Sequence, residues 1–213
     1  MLCVITSTQL LLTSSVSPFI KICGLRTPEM VDVCVDLGVD AIGFVFAEAS
    51  VRNIEPSAVR VLMQRVPPTV EGVGVFMNTP VDVAADTLAA AGLGTAQLHG
   101  AYSSADIHAL EARGVRVIRA LSVSEYLSDG APVARVLIDG DSPGSGAEFA
   151  ASRLAGVALP ERWILAGGLT PLNVARRVRE LAPTGVDVSS GVESSRGVKS
   201  AELITRFVTQ ARC

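Results

Sequence analysis

Short apolar runs alternate with longer stretches of helical spacing along most of the chain. Eight runs rich in Val, Ile and Ala predict strands at about 19–23, 41–46, 71–76, 95–98, 115–120, 134–139, 162–166 and 185–188. Helical spacing predicts helices at 28–38, 56–66, 80–91, 104–113, 147–155, 171–182 and 200–211, and 124–130 is short for a helix. Strands that alternate with helices in this way pair in parallel.

Eight such units favour a closed (β/α)8 barrel, the TIM-barrel class of α/β fold. An open, doubly wound sheet uses the same alternation, but eight units and two Gly-rich loops late in the chain favour the barrel. No linker divides the 213 residues, so we expect one barrel domain over 18–213. Residues 1–17 are apolar and rich in hydroxyl groups, and they have no basic start. We interpret them as a short N-terminal extension outside the fold, or as the result of a start codon assigned too early.

Composition excludes several classes of function. The net charge is −3 and the aromatic residues are 6 Phe, 2 Tyr and 1 Trp, which disfavours a nucleic-acid binder. The densest basic stretch, 175–179, is interpreted as the exposed face of a helix. The four cysteines have no metal-ligand or redox-motif spacing, so we expect no metal, no disulfide and a cytoplasmic location. The first 17 residues are too short and too polar to span a bilayer, and no membrane partner is expected.

The first predicted strand places a thiol at the mouth of the barrel. Side chains alternate between the two faces of a strand, so Ile20 and Ile22 share the face toward the helices. Lys21 and Cys23 then point into the barrel, with Cys23 at its rim. Cys34, in contrast, lies on the apolar stripe of a helix and is expected in the core.

The sixth predicted strand ends in a carboxylate, Asp139, followed by Gly140. An Asp at a strand end often caps a helix or holds a loop instead. Asp141 is the local competitor for any chemical role. A thiol and a carboxylate at one barrel mouth are a plausible base and acid.

Two Gly-rich loops predict a phosphate site. The segment 165–169 (LAGGL) follows the seventh strand and contains Gly167 and Gly168, and 187–191 (DVSSG) follows the eighth with Ser189, Ser190 and Gly191. Glycines let backbone N–H groups approach an anion, and barrels often bind phosphate after these two strands.

Three further features are candidates for substrate binding. Arg52 follows the second strand and either holds a substrate carboxylate or is a solvated loop arginine. His99 ends the fourth strand on the same face as Gln97 and is either structural or functional. Residues 144–146 (GSG) follow the sixth strand as a mobile cover or a plain turn, and Gly146 is counted with the phosphate-binding residues.

Six segments in this order resemble phosphoribosylanthranilate isomerase of tryptophan biosynthesis. They are 21–24 (KICG), 43–46 (GFVF), 73–76 (VGVF), 97–100 (QLHG), 165–169 (LAGGL) and 186–193 (VDVSSGVE), and the likeness extends over about 20–210. The resemblance implies an Amadori rearrangement of N-(5′-phosphoribosyl)anthranilate to 1-(2-carboxyphenylamino)-1-deoxyribulose 5-phosphate. No cofactor is implied, and the protein is expected to act as a monomer or homodimer.

The same resemblance implies roles for individual residues. Asp139 is the general acid, Cys23 the general base, and Arg52 the residue that orients the anthranilate carboxylate, while the two loops hold the 5′-phosphate. Inward Lys21 is counted with Arg52 and His99 among the substrate-binding residues, and it is also expected to lower the pKa of the Cys23 thiol. The alternatives are a sugar-phosphate isomerase barrel like that of histidine biosynthesis, which has Asp in place of Cys23, a pentulose-phosphate epimerase, and a non-catalytic barrel that binds a phosphate ligand.

Overall fold

Eight parallel strands close into one barrel in a computed structural model, which describes residues 17–129, 135–140, 154 and 156–213. Each strand pairs with the next along the chain, and the eighth pairs with the first. The strands are β1 (Phe19–Cys23), β2 (Ala41–Val45), β3 (Glu71–Met77), β4 (Thr95–His99), β5 (Arg116–Ser122), β6 (Val136–Asp139), β7 (Trp163–Leu165) and β8 (Gly185–Val188). The predicted fold class is confirmed.

Seven helices are present in the described ranges. They are α1 (Pro28–Asp36), α2 (Pro56–Met63), α3 (Val81–Ala91), α4 (Ser104–Ala112), α5 (Val123–Asp129), α6 (Val174–Leu181) and α7 (Ala201–Ala211). Apart from residue 154, the helix predicted at 147–155 lies outside the described residues, as do residues 1–16 and Gly146. No helix in the described ranges has both the length and the apolar character needed to cross a membrane.

The segment after β5 forms a helix, α5, although the predicted stretch 124–130 was judged short for a helix. A reciprocal cap starts it: the Ser122 N–H donates to Glu125 Oε2 at 2.7 Å, and the Glu125 N–H donates to Ser122 Oγ at 3.1 Å. Tyr126 then ties the helix to the barrel through its hydroxyl, which donates to the Ala158 carbonyl at 2.6 Å. The Ser-x-x-Glu pattern is a capping box and could have been recognised in the sequence.

Helix α6 begins three residues later than predicted. The Thr170 N–H donates to Asn173 Oδ1 at 2.8 Å, and Asn173 Nδ2 donates to the Gly168 carbonyl at 2.9 Å. These bonds hold 170–173 in a turn against the preceding Gly-rich loop, so Pro171 does not open the helix. The basic stretch 175–179 is also only partly exposed, because Arg177 on this helix is 8% exposed.

The apolar core has two layers, as the alternation along the strands predicts. Ile20, Ile22 and Cys34 are fully buried between the strands and the helices. A smaller set fills the barrel itself, including Val73 and Leu137. Most of the residues inside are small or β-branched, which leaves room near the axis for longer polar side chains.

One buried ion pair crosses the barrel interior. Lys21 on β1 and Asp187 on β8 are register partners, and Lys21 Nζ lies 2.9 Å from Asp187 Oδ1. The Lys21 side chain is 0% exposed and that of Asp187 is 8% exposed. Removing one member of such a pair leaves an uncompensated charge away from water, which is costly.

Replacing Lys21 with Met should therefore lower the free energy of unfolding by about 3–5 kcal/mol near neutral pH. Denaturant unfolding of Lys21→Met and of the double variant Lys21→Met/Asp187→Leu measures this, and the double variant should recover most of the loss. Arg65→Met is the matched control, because its pair with Asp32 is 48% and 41% exposed and should contribute at most about 1 kcal/mol. Equal losses in Lys21→Met and Arg65→Met would contradict the prediction.

Candidate active site

The Cys23 thiol lies inside the mouth of the barrel at the end of β1. The residue is 6% exposed, and Gly24 turns the chain away with a φ of 80°. Gly43 faces Cys23 on β2, and a Cβ there would lie 2.9 Å from the sulfur. The absence of a side chain at Gly43 therefore makes room for the thiol, as the inward direction predicted for Cys23 requires.

Asp139 ends β6 and is 9% exposed. Its Oδ1 accepts a 2.7 Å hydrogen bond from the Gly140 N–H, and a Cβ on Gly167 would lie 2.5 Å from that oxygen. The carboxylate thus leans toward the first Gly-rich loop. Burial and the neighbouring Asp187 carboxylate raise the pKa of Asp139 to about 6. A carboxyl group with such a pKa can donate a proton near neutrality.

The Lys21 ammonium acts on the pKa values of several of these groups. Burial alone would lower the pKa of Lys21, but Asp187 and Cys23 raise it, so the ammonium stays protonated. Lys21 and Lys199 both act to lower the pKa of Cys23, which is the predicted sign for Lys21. Burial of the thiol outweighs them, with Asp187 adding to it, and the pKa of Cys23 is raised overall. Lys21 therefore acts in the expected direction, but it does not by itself bring the pKa of Cys23 below the ordinary value.

His99 ends β4 on the inner face and pairs with Gln97. Gln97 Nε2 and His99 Nε2 are 2.7 Å apart, and Gln97 is 1% exposed. Burial, together with the positive charges of Lys21 and Arg119, lowers the pKa of His99 to about 4. The imidazole is therefore neutral at physiological pH and able to serve as a hydrogen-bonding group.

The two Gly-rich loops meet beside Asp139. They line a cleft together with residues at the ends of β6 and β8, and its walls are Asp139, Ala166, Gly167, Gly168, Leu169, Asp187, Val188, Ser189, Ser190 and Gly191. Gly167 and Gly168 have φ values of 87° and 61°, and Ser190–Val192 forms one 3-10 turn. Because the side chains of the two loops are small, an anion can approach the backbone closely and be bound by its N–H groups.

Arg52 lies at the rim and is already paired on one edge. Arg52 Nε and Nη2 donate to Glu193 Oε1 and Oε2 at 2.6 and 2.9 Å. The arginine stem passes over Gly24, where a Cβ would lie 2.7 Å from Arg52 Cδ. Arg52 thus packs against the residue that follows Cys23. It is not a solvated loop residue, since its side chain is 14% exposed.

One known protein family matches the chain that carries this site. The family model described as N-(5′-phosphoribosyl)anthranilate (PRA) isomerase matches residues 20–210. The chain belongs to this family.

Individual relatives agree with the family match. The N-(5′-phosphoribosyl)anthranilate isomerase of Thiobacillus denitrificans is 39% identical over 200 residues, which cover 91% of this chain and 97% of the relative. The crystal structure of TrpF from Jonesia denitrificans is 42% identical with a TM-score of 0.82, over 92% of this chain and 97% of that one. Another phosphoribosylanthranilate isomerase, solved with reduced 1-(o-carboxyphenylamino)-1-deoxyribulose 5-phosphate, is 32% identical with a TM-score of 0.82, over 91% and 98%.

The predicted family and its isomerase function are confirmed by these matches. The histidine-pathway-like isomerase and the non-catalytic phosphate binder are not favoured. The structure brings Lys21, Cys23, His99 and Asp139 to one mouth of the barrel. The two Gly-rich loops meet Asp139 there.

Three residues near the site were not singled out from the sequence. Asp187 was quoted only as part of a loop, although its place one residue before Val188 on a period-2 strand puts it inside the barrel with Lys21. Glu193 and Lys199 form a second ion pair at 2.8 Å, with side chains 5% and 3% exposed. They belong to a hairpin of β9 (Glu193–Ser195) and β10 (Val198–Lys199), which no pattern in the sequence indicated.

The close contact of the two loops generates a prediction for the phosphate site. A Cβ on Gly191 would overlap the Leu169 carbonyl oxygen, so Gly191→Ala must push the loops apart. Inhibition by inorganic phosphate should weaken about tenfold or more, the usual contribution of hydrogen bonds to charged groups. Gly94→Ala is the control, because no atom lies within 4 Å of its added Cβ. An unchanged inhibition constant in folded Gly191→Ala would contradict the assignment.

Proposed function

We propose that the chain isomerises N-(5′-phosphoribosyl)anthranilate with Cys23 as general base and Asp139 as general acid. The observation that supports this assignment is that Cys23 and Asp139 end β1 and β6 at one mouth of the barrel, beside the Lys21–Asp187 pair. Asp187 acts to raise the pKa of both Cys23 and Asp139, so both lie within electrostatic reach of one carboxylate. A phosphate cleft bounded by Asp139 completes the mouth.

The reaction begins with protonation of the ribose ring oxygen by Asp139. The bond from that oxygen to C1 breaks, and the nitrogen lone pair forms an iminium C=N bond to C1. Cys23, as thiolate, removes the proton from C2, and the C–H electrons form a C1=C2 double bond while nitrogen becomes neutral. The resulting enolamine takes a proton at C1 and loses the C2 hydroxyl proton, which yields the ketone product.

The remaining candidates bind the two charged ends of the substrate. The loops with Gly167, Gly168, Ser189, Ser190 and Gly191 hold the 5′-phosphate through backbone N–H and hydroxyl groups. Arg52 orients the anthranilate carboxylate, and neutral His99 contributes a hydrogen bond.

Lys21 acts in this proposal through its charge at the centre of the mouth. Every residue described for the site comes from one chain, so the proposal holds for a monomer or a homodimer. The cysteines in the described part are free, in keeping with the proposed cytoplasmic location.

Removing either proton-transfer group should abolish most of the rate. Cys23→Ser and Asp139→Asn should each lower kcat about 100-fold or more, the usual scale of general acid–base effects. The assay follows the fluorescence of phosphoribosylanthranilate generated in situ. Cys213→Ser and Asp86→Asn are matched controls at exposed positions and should keep full activity.

The outcomes of that assay distinguish the function from the roles of single residues. An inactive wild-type protein would show that the proposed function is wrong. Full activity in Cys23→Ser would remove the thiol from the mechanism. Activity retained in Asp139→Asn would move the acid role to another group, with Asp141 the first to examine.

The two pKa values also predict the pH profile. With the pKa of Asp139 at about 6 and that of Cys23 raised, the dominant neutral-pH form has Asp139 ionised and Cys23 protonated. The reactive form, with the proton on Asp139 and a Cys23 thiolate, is a minor form in constant ratio to it. Hence kcat/KM should increase with pH below about pH 6, the pKa of Asp139, and should be constant above it.

The acid limb can be assigned with Asp139→Asn. The substrate phosphate also titrates at about pH 6, so a limb that persists in Asp139→Asn belongs to the substrate. In that variant the residual rate should instead increase with pH through the pKa of Cys23. A wild-type limb that is identical in Asp139→Asn would contradict the raised pKa of Asp139.

A further inference from the structure

Arg52 carries its charge in a fixed frame built by the β9–β10 hairpin. Glu193 Oε1 accepts from both Arg52 Nε at 2.6 Å and Lys199 Nζ at 2.8 Å. Glu193 Oε2 accepts from Arg52 Nη2 and from the Gly197 N–H, each at 2.9 Å. The Glu193 carboxylate is therefore held on both oxygens, by two side chains and its own hairpin.

The frame leaves a defined part of the guanidinium available. A guanidinium has five N–H donors, and its Nε–Nη2 edge is used by Glu193. The second edge, formed by Nη1 and the other hydrogen of Nη2, has no acceptor in the described ranges. A planar carboxylate matches that edge with two parallel hydrogen bonds.

The charge balance of the frame favours an anionic ligand. Arg52 and Lys199 are cations and Glu193 is one anion, so the three groups together keep one positive charge. Hydrogen bonds from Arg52, Lys199 and Gly197 lower the pKa of Glu193 to about 2 although burial works in the other direction. Glu193 hence stays ionised at any pH at which the enzyme works, and the frame does not loosen by protonation.

Lys199 connects the frame to the phosphate loop. Its Nζ donates to the Ser189 carbonyl at 2.9 Å and lies 3.2 Å from Ser189 Oγ. Ser189 Oγ in turn donates to the Cys23 carbonyl at 3.2 Å. One continuous set of bonds thereby links the arginine, the phosphate loop and the strand end that carries the thiol.

We propose that Glu193 is a positioning residue that acts through Arg52. Glu193 holds the guanidinium so that only the second edge of Arg52 meets the substrate carboxylate. Selectivity for a carboxylated aryl ring therefore depends on the β9–β10 hairpin. This inference rests on the proposed role of Arg52 in carboxylate binding. A purely structural role for Glu193 would weaken all ligands alike, whereas positioning affects only those with the carboxylate.

The test measures the binding of two stable ligands by calorimetry. One is reduced 1-(o-carboxyphenylamino)-1-deoxyribulose 5-phosphate, and the other is the same compound without the carboxyl group. The wild-type protein should bind the first about tenfold or more tightly, as expected for hydrogen bonds between charged groups. Glu193→Gln should lose most of this preference while its affinity for the second compound is unchanged.

A double-variant comparison separates positioning from independent contributions. In Arg52→Met the preference should vanish, and adding Glu193→Gln should cause no further loss of affinity for the carboxylated compound. Glu71→Gln is the matched control, because Glu71 is also an ion-paired acid, with Arg116 and Arg135, but starts β3 at the opposite end of the barrel. It should keep the full preference.

Several results would overturn the inference. They are a full preference in Glu193→Gln, an equal loss for both compounds, or losses from Arg52→Met and Glu193→Gln that simply add. If Glu193→Gln does not fold, Arg52→Lys tests the same point, because a lysine cannot bond Glu193 in a bidentate way and offer a second edge. Retained preference in Arg52→Lys would equally refute it.

Failure of this inference differs from failure of the proposed function. If the wild-type protein turns over phosphoribosylanthranilate and prefers the carboxylated compound, and Glu193→Gln keeps that preference, the positioning role alone is refuted. A wild-type protein that has no turnover and binds neither compound would refute the proposed function.

Discussion

Lys21 Nζ and Asp187 Oδ1 meet 2.9 Å apart in the barrel, where neither side chain has appreciable contact with solvent. The pair joins the first and last strands at the point where the barrel closes. A shift of one residue in that register would turn Asp187 into the apolar layer beneath the helices and leave Lys21 unpaired. The ion pair and the closed barrel therefore depend on each other, and the position of every other group at the mouth follows from that closure.

The same pair acts on the pKa values of the proposed base and acid. Burial raises the pKa of both Cys23 and Asp139, and Asp187 adds to each, while Lys21 acts against both shifts. A lone lysine would favour the thiolate and the aspartate anion together, which suits the proposed base but not the proposed acid. With Asp187 beside it, the Lys21 charge is largely balanced, and the pKa of Asp139 stays raised. The pair thus influences the pKa values at the mouth as well as its shape.

Local periodicity was enough to predict the strands and the direction of their side chains. Alternation placed Lys21 and Cys23 inside the barrel because the period of two holds along each short strand, whatever the strand pairs with. Asp139 was placed at the mouth only by its position at the end of a strand. Helix α6 was placed too early because Asn173 bonds back to the Gly168 loop, a contact that Pro171 does not announce. The partner of Arg52 lies 141 residues away in a hairpin held by side chains, so no local pattern could reveal it.

The arrangement of Arg52 also explains how a strong cation can share a mouth with the proposed general acid. An arginine free to rotate toward Asp139 would favour its ionised form and lower its pKa, which would remove the proton that Asp139 is proposed to donate. Glu193, Lys199 and the crossing over Gly24 fix the guanidinium at the rim. The charge then remains available to the carboxylate that Arg52 is proposed to bind, while Asp139 keeps a pKa of about 6 beside the Gly-rich loops. The proposed mechanism therefore depends on the separation of this cation from the acid as much as on the presence of either.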